Sequence, residues 1–324
     1  MSRRRLVLVL LALLCGNLLV PASRRAPSPQ VPVVLVHGQG GGPELTWKTV
    51  IARLQAKGYQ PGATLFAVDL SQTGGESEPL GLLTDAAYVA AEVRRILDAT
   101  GAGQVDLVGH SRGGLIVRFL TVGDTAPLVR RAVTLNTPFG GVLPATAVGA
   151  IMDAAGVSAA QREQVSIPDD LQAGSAALQM LAARERLHPD ARVPSLVIGT
   201  TWQTGVPAVL AGNDGAVPLA SQLAWPGSLN HVFRLGPTPT QLKSILQSEM
   251  APALLVWESP HLQSLENNGV IDTVAQFLLA ARVPPPLRTC EPNCGDQVLL
   301  AFARAGKSTG TGLVSPDMTD PDGQ

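Results

Sequence analysis

The chain has 324 residues, 45% of them apolar, 15% charged and 4% aromatic, with 33 glycines, 26 prolines and a formal net charge of −1. That balance excludes a disordered chain, which needs low hydrophobicity and high net charge, and it offers no basic footprint for nucleic acid. Three cysteines are too few for a disulfide-built scaffold, and a chain of this length can bury a core without one, so one globular domain with appendages is expected.

Met1–Arg5 carries three arginines, Leu6–Val20 is almost wholly apolar, and Val20-Pro21-Ala22 places small residues before Ser23. This order predicts a secretory signal peptide over residues 1–22, cleaved after Ala22, and hence a secreted or periplasmic protein. The apolar run is short for a membrane span, which takes about 20 residues, so an uncleaved anchor fits less well. Cys15 follows Leu13-Leu14 rather than the small residue that lipoprotein processing uses. Loss of the leader moves the formal charge to about −4.

Val31–Val36 is a β-branched run with no polar side chain, as in a strand buried on both faces. His37-Gly38-Gln39-Gly40-Gly41-Gly42 follows it. The loop lacks the lysine and Ser/Thr of a phosphate-binding loop, and its glycines do not fit the dinucleotide fingerprint. After Pro43, Leu45, Trp47, Val50, Ile51 and Leu54 recur at helical spacing until Gly58. Leu65–Leu70 predicts a second strand. Thr84–Ala99 predicts a helix beginning at Thr84-Asp85 and ending before Gly101. Val105–Val108 is a third buried strand, with a helix over Leu115–Val122 behind it.

Between that strand and helix stands Gly109-His110-Ser111-Arg112-Gly113, a G-x-S-x-G turn. A serine on so sharp a strand-to-helix turn is lifted clear of the sheet, and the flanking glycines permit the close backbone packing the turn requires. The alternative is an ordinary glycine-rich turn. Ser111 is the candidate nucleophile. The backbone N–H groups of Arg112 and of Gln39 in the earlier loop form a candidate two-donor pocket for an oxyanion. His37 lies on that side of the site and is expected to support the loop rather than act as a base.

Ala132–Leu135 is the next strand. Residues 140–190 then form a long, alanine-rich insertion with Leu, Ile, Met and Val at loosely helical spacing. It predicts either a helical lid, or acyl-binding wall, over the serine, or helices packed on the core. Leu196–Ile198 is a strand, followed by Asn213-Asp214-Gly215, a tight turn that can present the Asp214 carboxylate to a histidine. Asp69, which precedes the serine, and Asp272, expected at a helix N-terminus, are weaker acids for that role. Val232–Leu235 predicts a last strand and Val270–Ala281 a closing helix. His261, in the loop before that helix, is the candidate base. His231, at the start of the last strand, remains the alternative, and His188 belongs to a polar surface loop.

Pro284-Pro285-Pro286 marks the end of the folded core at residue 283. Residues 284–324 form a tail with a disordered end, in which Cys290 and Cys294 are expected to close a small disulfide loop in an oxidising compartment. The alternation of short apolar strands with amphipathic helices predicts an α/β class: an open, mostly parallel, doubly wound sheet, with ligand chemistry at the carboxyl ends of its strands.

These pieces resemble the α/β-hydrolase superfamily, and in particular the secreted bacterial lipases and esterases. The resemblance lies in Val34–Gly41, Gly109–Leu115, Leu135–Gly141, Asn213–Pro218 and Pro260–Leu262, in family order over residues 31–281. The Thr137-Pro138-Phe139-Gly140-Gly141 element and Leu171–Leu181 with Gly174-Ser175 are similar to the lipase branch. Gly236–Trp257 departs from the pattern, being longer than the usual approach to the histidine. The resemblance implies a serine carboxylester hydrolase with Ser111 attacking, His261 shuttling the proton and Asp214 orienting it. Its substrate would be a small-molecule or lipid ester, met at a lipid–water interface or in solution, with no cofactor, metal, nucleic acid or obligatory protein partner. A thioesterase, amidase or acyltransferase would use the same three residues. A non-catalytic binding protein on this fold would normally lack one of them.

Overall fold

In the computed structural model the described residues are 30–282, apart from 76–79, 145, 148, 150–152, 154–167, 190–192, 209 and 249. The leader, the tail, the Cys290–Cys294 pair and most of the central part of the 140–190 insertion therefore lie outside the described residues. The chain divides at Val31, and the fold below belongs to the unit that begins at Pro32.

Six strands form one sheet: β1 (Val33–Val36), β2 (Leu65–Val68), β3 (Val105–His110), β4 (Val129–Leu135), β5 (Ser195–Trp202) and β6 (Leu229–Leu235). Their order is β2-β1-β3-β4-β5-β6, and all five pairings are parallel. The expected doubly wound α/β sheet is thus found, and it is parallel throughout.

β1 shows why its run of four apolar residues folds as an interior strand. Val34 and Val36 pack on one face with α2 (Gly81–Thr100) and α3 (Arg112–Leu120). Val33 and Leu35 pack on the other with α1 (Pro43–Ala56) and the last helix, α9 (Asn268–Leu279). Both faces are covered, so an alternating polar pattern would have put hydrophilic side chains into one of two cores. At the far end of the sheet Arg131 donates to the carbonyl of Phe277 at 2.9 Å and Arg130 to that of Leu278 at 2.9 Å, which satisfies the C-terminal carbonyls of α9 and sets two cations against its dipole.

Further helices are α4 (Ala176–Leu187), α5 (Leu219–Gln222), α6 (Pro239–Leu246), α7 (Ala251–Trp257) and α8 (Pro260–Gln263). Within the 140–190 insertion α4 packs on the core, where Ala177, Leu178 and Leu181 join the α2–α3 face. The Gly236–Trp257 departure folds as the helix pair α6–α7, whose Leu242 and Leu255 close with Leu210 over the buried Trp202. Three further expectations are corrected. Leu45 is 72% exposed, because the apolar stripe of α1 is narrower and runs through Trp47, Val50 and Leu54. α2 begins at Gly81, so Asp85 is a buried side chain in its second turn rather than a charge at its start. Asp272 is the fifth residue of α9, capped instead by Asn267, and it pairs at the surface with Arg53 at 3.1 Å.

Candidate active site

In a parallel sheet all carboxyl ends share one edge. The chain leaves β1 for β2 on one side and returns to β3 on the other, so the loops after β1 and β3 emerge next to each other at the switch in strand order, where such sheets bind ligands. The candidate residues stand on those loops and on the loops after β4, β5 and β6.

Ser111 sits between β3 and α3 with φ 53° and ψ −126°. That conformation costs a non-glycine residue about 1–3 kcal/mol and persists only where the surroundings enforce it. They do so through backbone contact. A Cβ on Gly109 would lie 2.6 Å from the Gly113 carbonyl oxygen, and one on Gly113 would collide with the carbonyls of Val36 and His37. The Ser111 N–H donates to the Leu135 carbonyl at 2.8 Å.

The glycine loop comes up against this turn. A Cβ on Gly38 would lie 2.7 Å from the Ser111 Cβ, so only glycine allows that approach. A turn closed by the Gly41 N–H on the Gly38 carbonyl, 3.1 Å, presents Gln39 at its exposed tip, with Gly40 at φ +62°. His37 is fully buried beneath it. Its Nδ1–H donates to the Gly38 carbonyl at 2.8 Å, and its Nε2 accepts from the Leu70 N–H at 3.0 Å.

Asp214 and His261 meet from opposite loops. His261 Nδ1 lies 2.8 Å from Asp214 Oδ2, and the His261 N–H donates to the Asp214 carbonyl at 3.1 Å. Four donors converge on the fully buried Asp214 carboxylate. Oδ1 accepts from the N–H groups of Ala216 (2.9 Å) and Val217 (2.7 Å), and Oδ2 from Asn136 Nδ2–H (2.8 Å) and the histidine. The Asn213-Asp214-Gly215 turn is as the sequence suggests, with Gly215 at φ +103° and its N–H on Asn213 Oδ1. His231 lies apart from this cluster: it stands inside β6, stacked on Phe233 at 4.4 Å, and burial lowers its pKa. His188 caps α4, and Asp69 is turned onto the Ser71 N–H, which holds its pKa low.

Three features escape a linear reading of the sequence. Asn136, at φ 54°, binds both Asp214 and Thr200. Its place directly after β4 was the available signal. His110 is buried and touches the His261 loop. The Arg112 side chain is buried among Asp85, Asp170 (3.0 Å) and the Gly75 carbonyl (3.4 Å), so one guanidinium joins the loop after β2, the end of the long insertion and the serine turn. Among the described residues no group of three or more His, Cys, Asp or Glu is placed to hold a metal ion, and no helix is long and apolar enough to cross a membrane.

Sheet order, crossover pattern and a strained serine at the strand-to-helix turn together define an α/β-hydrolase fold. Residues 31–174 match the family model of the alpha/beta hydrolase fold. A triacylglycerol lipase of Vibrio cholerae is 28% identical over 292 residues, covering 84% of each chain. One from Pseudarthrobacter phenanthrenivorans is 35% identical over 116 residues, 34% of each chain. A Bacillus licheniformis lipase in its propeptide form superposes with a TM-score of 0.51 at 19% identity, over 82% of this chain and 54% of that one. The chain thus has the α/β-hydrolase fold, and it is the lipases and esterases of that superfamily that it resembles.

Proposed function

We propose that the protein is an exported serine carboxylester hydrolase that cleaves apolar acyl esters through an acyl-serine intermediate. The observation that carries this reading is the 2.8 Å pairing of Asp214 and His261, 47 residues apart, on the same sheet edge as a serine held at φ 53°. Asp214 occupies Nδ1 of the imidazole and so fixes the tautomer in which Nε2 can accept a proton.

In the proposed reaction Ser111 Oγ gives its proton to His261 Nε2 and bonds to the ester carbonyl carbon. The carbonyl oxygen takes up the electron pair as an oxyanion facing the N–H groups of Gln39 and Arg112. Arg112 is the first residue of α3, where a backbone N–H has no acceptor within its own helix and the helix dipole favours a negative charge. Collapse of the tetrahedral intermediate expels the alcohol, protonated by His261. Water, deprotonated by the same histidine, then releases the acid and restores Ser111.

An apolar acyl group is supported by the kinship with triacylglycerol lipases and by Met250, Val256 and Trp257, each about 60% exposed just before the His261 loop. The test is hydrolysis of p-nitrophenyl esters of short to long acyl chain. Wild type is expected to turn them over, and Ser111→Ala and His261→Ala to lose kcat by about 10⁴-fold or more. Undiminished turnover in Ser111→Ala would refute the proposal.

A further inference from the structure

Asp214 orients the His261 ring, but a bond to Nδ1 does not set how far the histidine stands from the serine. A second contact bears on that distance. His110 ends β3, immediately before Ser111, and its side chain is buried. Its Nε2 lies 3.0 Å from the backbone carbonyl oxygen of His261, 151 positions along the chain, and the two rings lie 4.8 Å apart at 56°. Ser264 Oγ donates to the same carbonyl at 3.0 Å. Of the groups that hold the His261 backbone, His110 alone is covalently next to the serine.

We infer that His110 is a positioning residue: by donating Nε2–H to the His261 carbonyl it fixes the separation between the serine turn and the histidine that serves it. The inference rests on the hydrolase reading above. His110 suits the task because burial, and next the neighbouring His261, push its pKa down to about 3, so the ring stays neutral at working pH. A neutral donor beside His261 adds no repulsion when that ring takes up the serine proton. A lysine or arginine donor at the same place would.

The experiment compares His110→Gln, which keeps an N–H donor near the Nε2 position, with His110→Met, which has a similar volume and no donor. Two readouts are taken: kcat and KM on p-nitrophenyl butyrate, and the downfield proton resonance of the His261 Nδ1–H, assigned by its loss in His261→Gln. His110→Gln should stay within about threefold of wild-type kcat and keep the resonance. His110→Met should lose about tenfold or more in kcat at unchanged KM, with the resonance broadened by exchange. Equal behaviour of the two variants in both readouts overturns the inference. Absence of turnover by wild type would refute the hydrolase reading instead, and the resonance would still decide the role of His110.

Discussion

Ser111 and Asn136 hold φ angles of 53° and 54°, which side chains other than glycine rarely adopt, and both stand at the site. The serine motif was readable because its cause is local: glycines at fixed offsets around one residue on a sharp turn. Asn136 was not, because its role is to reach across to an aspartate 78 positions away. Replacing it by alanine removes one of four donors from the buried Asp214 carboxylate, and kcat should fall about tenfold with little change in KM in steady-state assays. The buried His110 makes a prediction for stability. Its pKa of about 3 lies below that of an unfolded histidine, so the unfolded chain takes up a proton that the folded one refuses. Its stabilising contribution is complete above about pH 6.5 and is lost as pH falls toward 3, by up to about 1.4 kcal/mol per pH unit. Urea unfolding of wild type and His110→Gln between pH 7 and 5 should show the steeper acid decline in wild type, and parallel curves would contradict this.

At the scale of elements, strands and helices were legible from periodicity, and their pairing partners were not. Asp85 is the instructive residue. From sequence it reads as a charge at a helix start, yet the chain enters α2 one turn earlier and turns Asp85 inward to Arg112. Nothing in the spacing of positions 85, 112 and 170 indicates that they converge, since their meeting depends on how three segments pack. The guanidinium thereby holds the helix that begins at the serine turn to α2 and to the end of the insertion. Arg112→Met would leave two buried carboxylates without a counter-charge and should destabilise the fold by about 3–5 kcal/mol in urea titrations. The α6–α7 pair makes the converse point. Its sequence was conspicuous as a departure before the histidine, and packing on Trp202 explains it: two short helices share a small core of their own and return the chain to His261.

For the whole molecule, the class of fold was legible because a run such as Val33–Val36 has no use outside a sheet covered on both sides. The strand order was not, since crossover direction is written in no single segment. That order assembles the candidate site. With β1 and β3 adjacent and parallel, the glycine loop and the serine turn emerge side by side, and β4, β5 and β6 bring Asn136, Asp214 and His261 to the same edge. The proposed reaction needs one nucleophile at one place, and the direct test is covalent trapping. A fluorophosphonate should add once per chain, with peptide mapping by mass spectrometry placing the adduct on Ser111, and His261→Ala should slow its formation by orders of magnitude. An unmodified wild type, or an adduct mapped to another residue, would contradict the account.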